Sequence, residues 1–220
     1  MTDTKTDRVI LVNGISPIGR TLRKLAQFLD GQGYRTLDLK YPSTRKSIGD
    51  IAEHIHPEIS RYAESVAGRV HFVGVSMGGL VLRAYLHRFR PQNLGRVVMI
   101  GPPNQGSELA DFLKGWWLYR KVYGPAGQQL VTQFKDAEEL FGAVNYELGV
   151  IAGNRTLDPV ASYIIGKPND GRVSIESTRL HGMKDHIIVS ANHTFFATNR
   201  RAWQQTLHFL KQGQFAAVPV

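Results

Sequence analysis

Cysteine is absent from the 220 residues of this chain. A disulfide framework, a thiolate nucleophile and a thiolate metal cluster are therefore all excluded as sources of its stability or chemistry. No apolar run approaches the roughly 20 residues needed to cross a bilayer. The opening Met1-Thr2-Asp3-Thr4-Lys5-Thr6-Asp7-Arg8 is polar and leads straight into an apolar strand. That leaves no place for a cleavable apolar signal, so the expectation is a cytoplasmic chain. Acidic residues are in deficit, 18 Asp+Glu against 27 Lys+Arg, for a net charge of +9. Such an excess favours anionic surfaces in general. No nucleic-acid module has a recognisable pattern here, so no nucleic-acid partner is expected and peripheral contact with an anionic membrane surface stays open. Repeats, linkers and low-complexity tracts are also missing. The expectation is one domain over residues 1–220, with residues 1–7 and the tail from Gly213 frayed.

What the chain does have is alternation. Val9 to Val12 reads as a short apolar strand ending at Asn13-Gly14, Ile18 to Leu29 has helical periodicity, and Tyr34 to Leu39 is a second strand. A helix from Ser47, a plausible N-cap, runs to about Ala67 with a kink at Pro57. Then come strands at Val70 to Val73 and Arg96 to Ile100 around a helix from Gly79 to Phe89, strands at Leu148 to Ala152 and Ile187 to Val189, and a last helix from about Thr198 to Lys211. Apolar strands without polar alternation, separated by helices, predict an α/β fold: a doubly wound, mostly parallel sheet of about six strands covered on both faces. The cations Arg20, Arg23, Lys24, Arg83, Arg88 and Arg90 fall on predicted helices and are expected on solvated outer faces.

Gly74-Val75-Ser76-Met77-Gly78 sits between a strand and a helix. A Gly-x-Ser-x-Gly turn of this kind is so tight that the flanking positions must lack side chains, while the serine is thrown clear of the backbone. Ser76 is the candidate nucleophile. Ligands of such a sheet lie outside the carboxyl ends of its strands, so a partner base should follow a strand. Of eight histidines, only His193, in Ser190-Ala191-Asn192-His193-Thr194, follows a strand end and precedes the final helix. His71 lies within a strand, His54, His56, His87 and His208 lie on helices, and His181 and His186 fall before or at the start of the last strand. Two aspartates satisfy the order nucleophile, acid, base. Asp158 follows a strand after a short loop, and Asp170 occupies the turn-forming Pro168-Asn169-Asp170-Gly171-Arg172-Val173, where Gly171 can turn left-handed. Asp170 is favoured, because a turn held by its own loop presents a fixed carboxylate to an imidazole N–H.

Between Ile100 and Leu148 the chain is crowded with large apolar side chains, among them Leu109, Phe112, Leu113, Trp116, Trp117, Tyr119, Tyr123 and Leu130. Ordinary amphipathic helices packed on the core would account for them, and so would a cap or acyl-chain wall built from residues 104–146. On the second reading Trp116, Trp117 and Tyr119 are candidate substrate-binding residues.

Along almost its whole length the chain resembles small bacterial lipase-like members of the α/β-hydrolase superfamily. The resemblance rests on Leu11-Val12-Asn13-Gly14-Ile15, Phe72-Val73-Gly74-Val75-Ser76-Met77-Gly78-Gly79, Pro102-Pro103-Asn104-Gln105-Gly106-Ser107, Asp170-Gly171-x-Val173 and His193. It implies a single α/β-hydrolase domain with Ser76 as nucleophile, His193 as base and Asp170 as its orienting partner. Where relatives often carry His-Gly after the first strand, this chain has Asn13-Gly14; the backbone donor one residue later survives that change. The backbone N–H groups of Met77 and Ile15 are then the expected oxyanion donors. Cleavage of carboxylic esters follows, on small-molecule or lipid substrates, with no metal and no cofactor required. An acyltransferase or thioesterase would use the same parts, and a non-catalytic acyl- or protein-binding scaffold is the alternative of a different class.

Overall fold

The computed structural model describes residues 6–16 and 22–217. Six strands form one sheet: β1 (Arg8–Val12), β2 (Arg35–Leu39), β3 (Val70–Val75), β4 (Leu94–Ile100), β5 (Leu148–Gly153) and β6 (Asp185–Val189). Their order is β2-β1-β3-β4-β5-β6, and every pairing is parallel. The helices are α1 (Arg23–Asp30), α2 (Ile48–Glu64), α3 (Met77–Phe89), α4 (Glu108–Leu113), α5 (Trp117–Gln128), α6 (Ala137–Phe141), α7 (Pro159–Ile165) and α8 (Arg200–Gln212), with a 3-10 turn at His193–Thr198 before α8. The helix expected from Ile18 is described only from Arg23. Its first residues, Arg20 included, lie outside the described residues.

The period-2 geometry of a strand divides its side chains between two cores. Ile10, Val12, Val70, Phe72, Val97, Met99, Leu148 and Val150 face α2 and α3, while Val9, Leu11, Val73, Val75, Val98, Ile100 and Ile151 face α1 and α8. All six residues of β3 are buried, which is why the central strands read as unbroken apolar runs. Each such side chain is worth about 1.5–3 kcal/mol when fully buried. Among the described residues, no helix is long and apolar enough to cross a membrane.

Several local expectations take definite form. Ser47 caps α2 in a reciprocal box with Asp50, and Pro57 lies inside that helix, which ends at Glu64 rather than Ala67. The helix after the elbow begins at Met77, two residues earlier than its periodicity suggests. The tail is docked as far as Ala216, which exchanges two hydrogen bonds with Gln205, after Phe215, whose ring packs 5.0 Å from that of Phe209 and whose N–H donates to Asp185 at 2.7 Å. Arg83 departs from the expected solvated face. It is buried, with its guanidinium over the Phe141 ring and Nη1 donating to the Asn104 carbonyl, and burial lowers its pKa to about 10. One helix, α7, lies outside the expected elements. Asp158 as N-cap, Pro159 at its first position and a left-handed Gly166 just past its end are the signals that mark it.

Candidate active site

Parallel strands place all their carboxyl ends on one edge. There, between β1 and β3, the connections switch from one side of the sheet to the other, and ligands of such sheets bind outside this point. Ser76 stands at it. The serine has φ of 55° and is the one non-glycine residue with positive φ among the described residues. Its N–H donates to the Ile100 carbonyl at 2.8 Å, fixing the turn against β4. Strain of this kind costs on the order of 1–3 kcal/mol and persists only where the surroundings impose it. The glycines permit it. A Cβ on Gly78 would collide with the Val12 carbonyl oxygen and stand 2.5 Å from that of Asn13, and one on Gly74 would stand 2.7 Å from the Gly79 amide nitrogen.

Three side chains that are distant in sequence meet here. His193 Nε2 lies 2.8 Å from Ser76 Oγ, and His193 Nδ1 lies 2.7 Å from Asp170 Oδ2. Asp170 is 2 % exposed. Its other carboxylate oxygen accepts from the N–H groups of Arg172 at 2.9 Å and Val173 at 2.8 Å, the turn closed by Gly171 at φ of +94°. A buried carboxylate is tolerated only when its lone pairs are met in this way. Asp158, the competing acid, instead accepts from Ala161 N–H as the cap of α7.

Met77 opens α3, so its N–H has no acceptor a turn earlier in the helix, and the positive end of the helix lies at the same place. Ile15 lies in the loop after β1, against the cavity. The carbonyl of Asn13 in that loop accepts from Tyr41 O–H. Burial raises the Tyr41 pKa, so the phenol stays a donor.

A cavity of about 370 Å³ opens beside Ser76 and His193. Leu109, Leu113, Tyr119, Tyr123 and Leu130 supply its apolar wall, all from the segment between β4 and β5. Tyr119, a candidate substrate-binding residue, is among the lining side chains. Its O–H donates to the Gly127 carbonyl at 3.0 Å, and burial pushes its pKa up to about 12. Trp116 and Trp117 do not line the cavity. They are 57 % and 71 % exposed at the start of α5, because the cavity-facing positions fall to Tyr119 and Tyr123 of the same helix. Ser107, Thr194 and Arg172 also line it, at positions that no motif in the sequence marks as functional. Among the described residues, no three His, Asp or Glu side chains converge as a metal site requires.

A family model described as the alpha/beta hydrolase fold matches residues 9–137. No curated protein matches the sequence. Among solved structures, the mature lipase BlEst2 of Bacillus licheniformis superposes with a TM-score of 0.74 at 20% identity, over 96% of this chain and 93% of that one. The metagenomic carboxyl esterase MGS0156 gives 0.71 at 17% identity, over 88% and 66%. Phospholipase PlaB of Legionella pneumophila gives 0.64 at 20% identity over 79% of this chain, which spans 44% of that larger protein. At these identities the likenesses speak to architecture. Together with a family match over more than half of the sequence, the all-parallel sheet and its elbow give one answer: the chain belongs to the α/β-hydrolase fold family.

Proposed function

We propose that the protein is a serine hydrolase of carboxylic esters, acting through an acyl-enzyme on Ser76. The hydrogen-bonded run from Ser76 through His193 to Asp170 carries the reading. A free serine hydroxyl is a weak nucleophile at neutral pH. His193 Nε2 takes its proton as Oγ attacks the ester carbonyl, and returns it to the departing alcohol. Asp170 holds Nδ1–H, fixing the tautomer and stabilising the imidazolium. The N–H groups of Met77 and Ile15 receive the oxyanion, and water then repeats the sequence to release the acid. No step needs a metal or cofactor.

The apolar wall of the cavity favours an ester with an apolar acyl group. Residues 104–146, which supply most of that wall through α4, α5 and the stretch after it, act as a cap on one domain. For lipid esters we assign a peripheral contact with an anionic membrane surface. The excess of 27 Lys+Arg over 18 Asp+Glu supports it, as does the exposure of Phe112, Trp116, Trp117 and Leu118 beside Lys114, Arg120 and Lys121.

Covalent capture by a fluorophosphonate tests the reading without knowledge of the substrate. Wild type should label, Ser76→Ala should not, and esterase turnover should fall by roughly four to six orders of magnitude in the folded variant. Most activity surviving in Ser76→Ala would remove the serine from its role. Labelling without ester turnover would favour an acyltransferase on the same parts.

A further inference from the structure

Among the described residues, Arg172 is the one permanently charged residue lining the cavity that holds Ser76 and His193. Its backbone is clamped from both sides: the N–H donates to Asp170 Oδ1 at 2.9 Å, and the carbonyl accepts from Ser107 Oγ at 2.7 Å. The residue is therefore held in fixed register with the Asp170 turn. Its guanidinium is not similarly committed. Among the described residues its one ion pair is with Asp158 at 3.9 Å, beyond hydrogen-bond length, between groups 47 % and 43 % exposed. A pair of that kind contributes little, and Asp158 already spends its other oxygen capping α7. Arg172 thus brings to the edge of this cavity a planar fork of five donors with no close acceptor among the described residues. Such a fork suits a carboxylate, sulfonate or phosphate.

We propose that Arg172 binds a negative charge carried by the substrate, so that the preferred esters are anionic amphiphiles: an apolar portion along Leu109, Leu113 and Tyr123, the carbonyl at Ser76, and an acidic group at Arg172. This rests on the esterase reading. The charge belongs either to the acyl part or to the alcohol part, and the two are separable by substrate. p-Nitrophenyl hemiglutarate carries it on the acyl side, butyrate of 4-hydroxybenzenesulfonate carries it on the alcohol side, and p-nitrophenyl butyrate carries none.

The measurement is the ratio of kcat/KM for each anionic ester to that for the neutral one, in wild type, Arg172→Gln and Arg172→Lys. For one of the two anionic esters the ratio should fall about tenfold or more in Arg172→Gln, mainly through KM, and recover in part in Arg172→Lys. Which ester responds identifies the side. An unchanged ratio for both would overturn the proposal. A second measurement stands apart from turnover: binding of decyl phosphate to Ser76→Ala by calorimetry, with and without Arg172→Gln. Weaker binding on loss of Arg172, at unchanged affinity for decanol, supports the anion site even if no ester is cleaved. Equal affinities of decyl phosphate for the two proteins refute it. Failure of fluorophosphonate labelling would sink the esterase reading alone.

Discussion

Asp170 and His193 are joined twice. The carboxylate meets Nδ1 at 2.7 Å, and the Asp170 carbonyl accepts the backbone N–H of His193 at 2.9 Å. The second bond holds the loop after β6 to the segment between α7 and β6, so the imidazole is positioned by main chain as well as by side chain. Asp170→Asn should therefore keep the histidine nearly in place while presenting the wrong hydrogen-bonding group to Nδ1. Turnover should fall about ten-thousand-fold with little change in melting temperature. Asp158→Asn should cost little activity, because that residue caps α7. Steady-state kinetics on the two variants decides the matter, and the reverse ranking would move the acid role to Asp158.

The central strands are legible because burial on both faces leaves them few polar positions, and the elbow is legible because its steric demand falls on two glycines. His193 could be picked out by asking which histidine follows a strand. The segment between β4 and β5 resisted. Its composition announces buried aromatic surface, yet which ring turns inward depends on how short helices pack, and α5 breaks at Gly124, where φ is 60°. Tyr119 and Trp117 are two residues apart on α5 and have opposite fates. Arg83 misled for the related reason that α3 is buried nearly all round, a property of its neighbours on both sides and not of its own charge pattern.

Gly78→Ala should be far more damaging than an ordinary helix glycine substitution, which normally gains in propensity. The added methyl would meet the carbonyls of Val12 and Asn13, neither of which can turn away without moving β1 and the loop that carries Ile15. Loss of roughly 2 kcal/mol or more is expected, within the range for core overpacking. Chemical denaturation of the variant measures it, and a stability equal to wild type would mean that the loop after β1 yields easily.

Stability should decline in mild acid through two histidines held neutral. Burial, and after it the charge of Arg179, lower the pKa of His186 to about 4 against the opposing pull of Asp185. Burial likewise lowers that of His71, against the pull of Asp7, and protonation of its Nδ1 would break the bond accepted from Arg96 N–H at 2.8 Å. Both folded pKa values lie below the unfolded value of about 6.5. The contribution is thus fully present above pH 6.5 and is lost as the unfolded chain takes up protons the fold refuses, for His186 mostly between about pH 6.5 and 4. The fall in melting temperature from pH 7.5 to 5 should be smaller in His186→Gln than in wild type, by about 2–4 °C for each kcal/mol removed. An identical fall in the two proteins would exclude His186 as a contributor.

The exposed tryptophans lead to a different expectation from the one their sequence invites. As a cavity wall they would govern acyl-chain length; standing outside it, they should leave the chain-length profile on soluble esters unaltered. Leu113→Ala, within the cavity wall, should instead penalise longer acyl groups, since each buried methylene is worth about 0.8 kcal/mol. The replacement of Trp116 and Trp117 by alanine should act on surfaces. Lys114, Arg120 and Lys121 flank the pair, and no acidic residue occurs between Asp111 and Asp136. Each cation close to an anionic leaflet adds about 1 kcal/mol, and that attraction decays within a Debye length. Association with anionic vesicles should therefore weaken in the double variant, and in wild type it should weaken with added salt while hydrolysis of a soluble short ester does not. Co-sedimentation and the two hydrolysis rates across a salt series measure both effects. Equal salt responses for vesicle and soluble substrate, with vesicle binding indifferent to the tryptophans, would confine the proposed esterase activity to soluble esters.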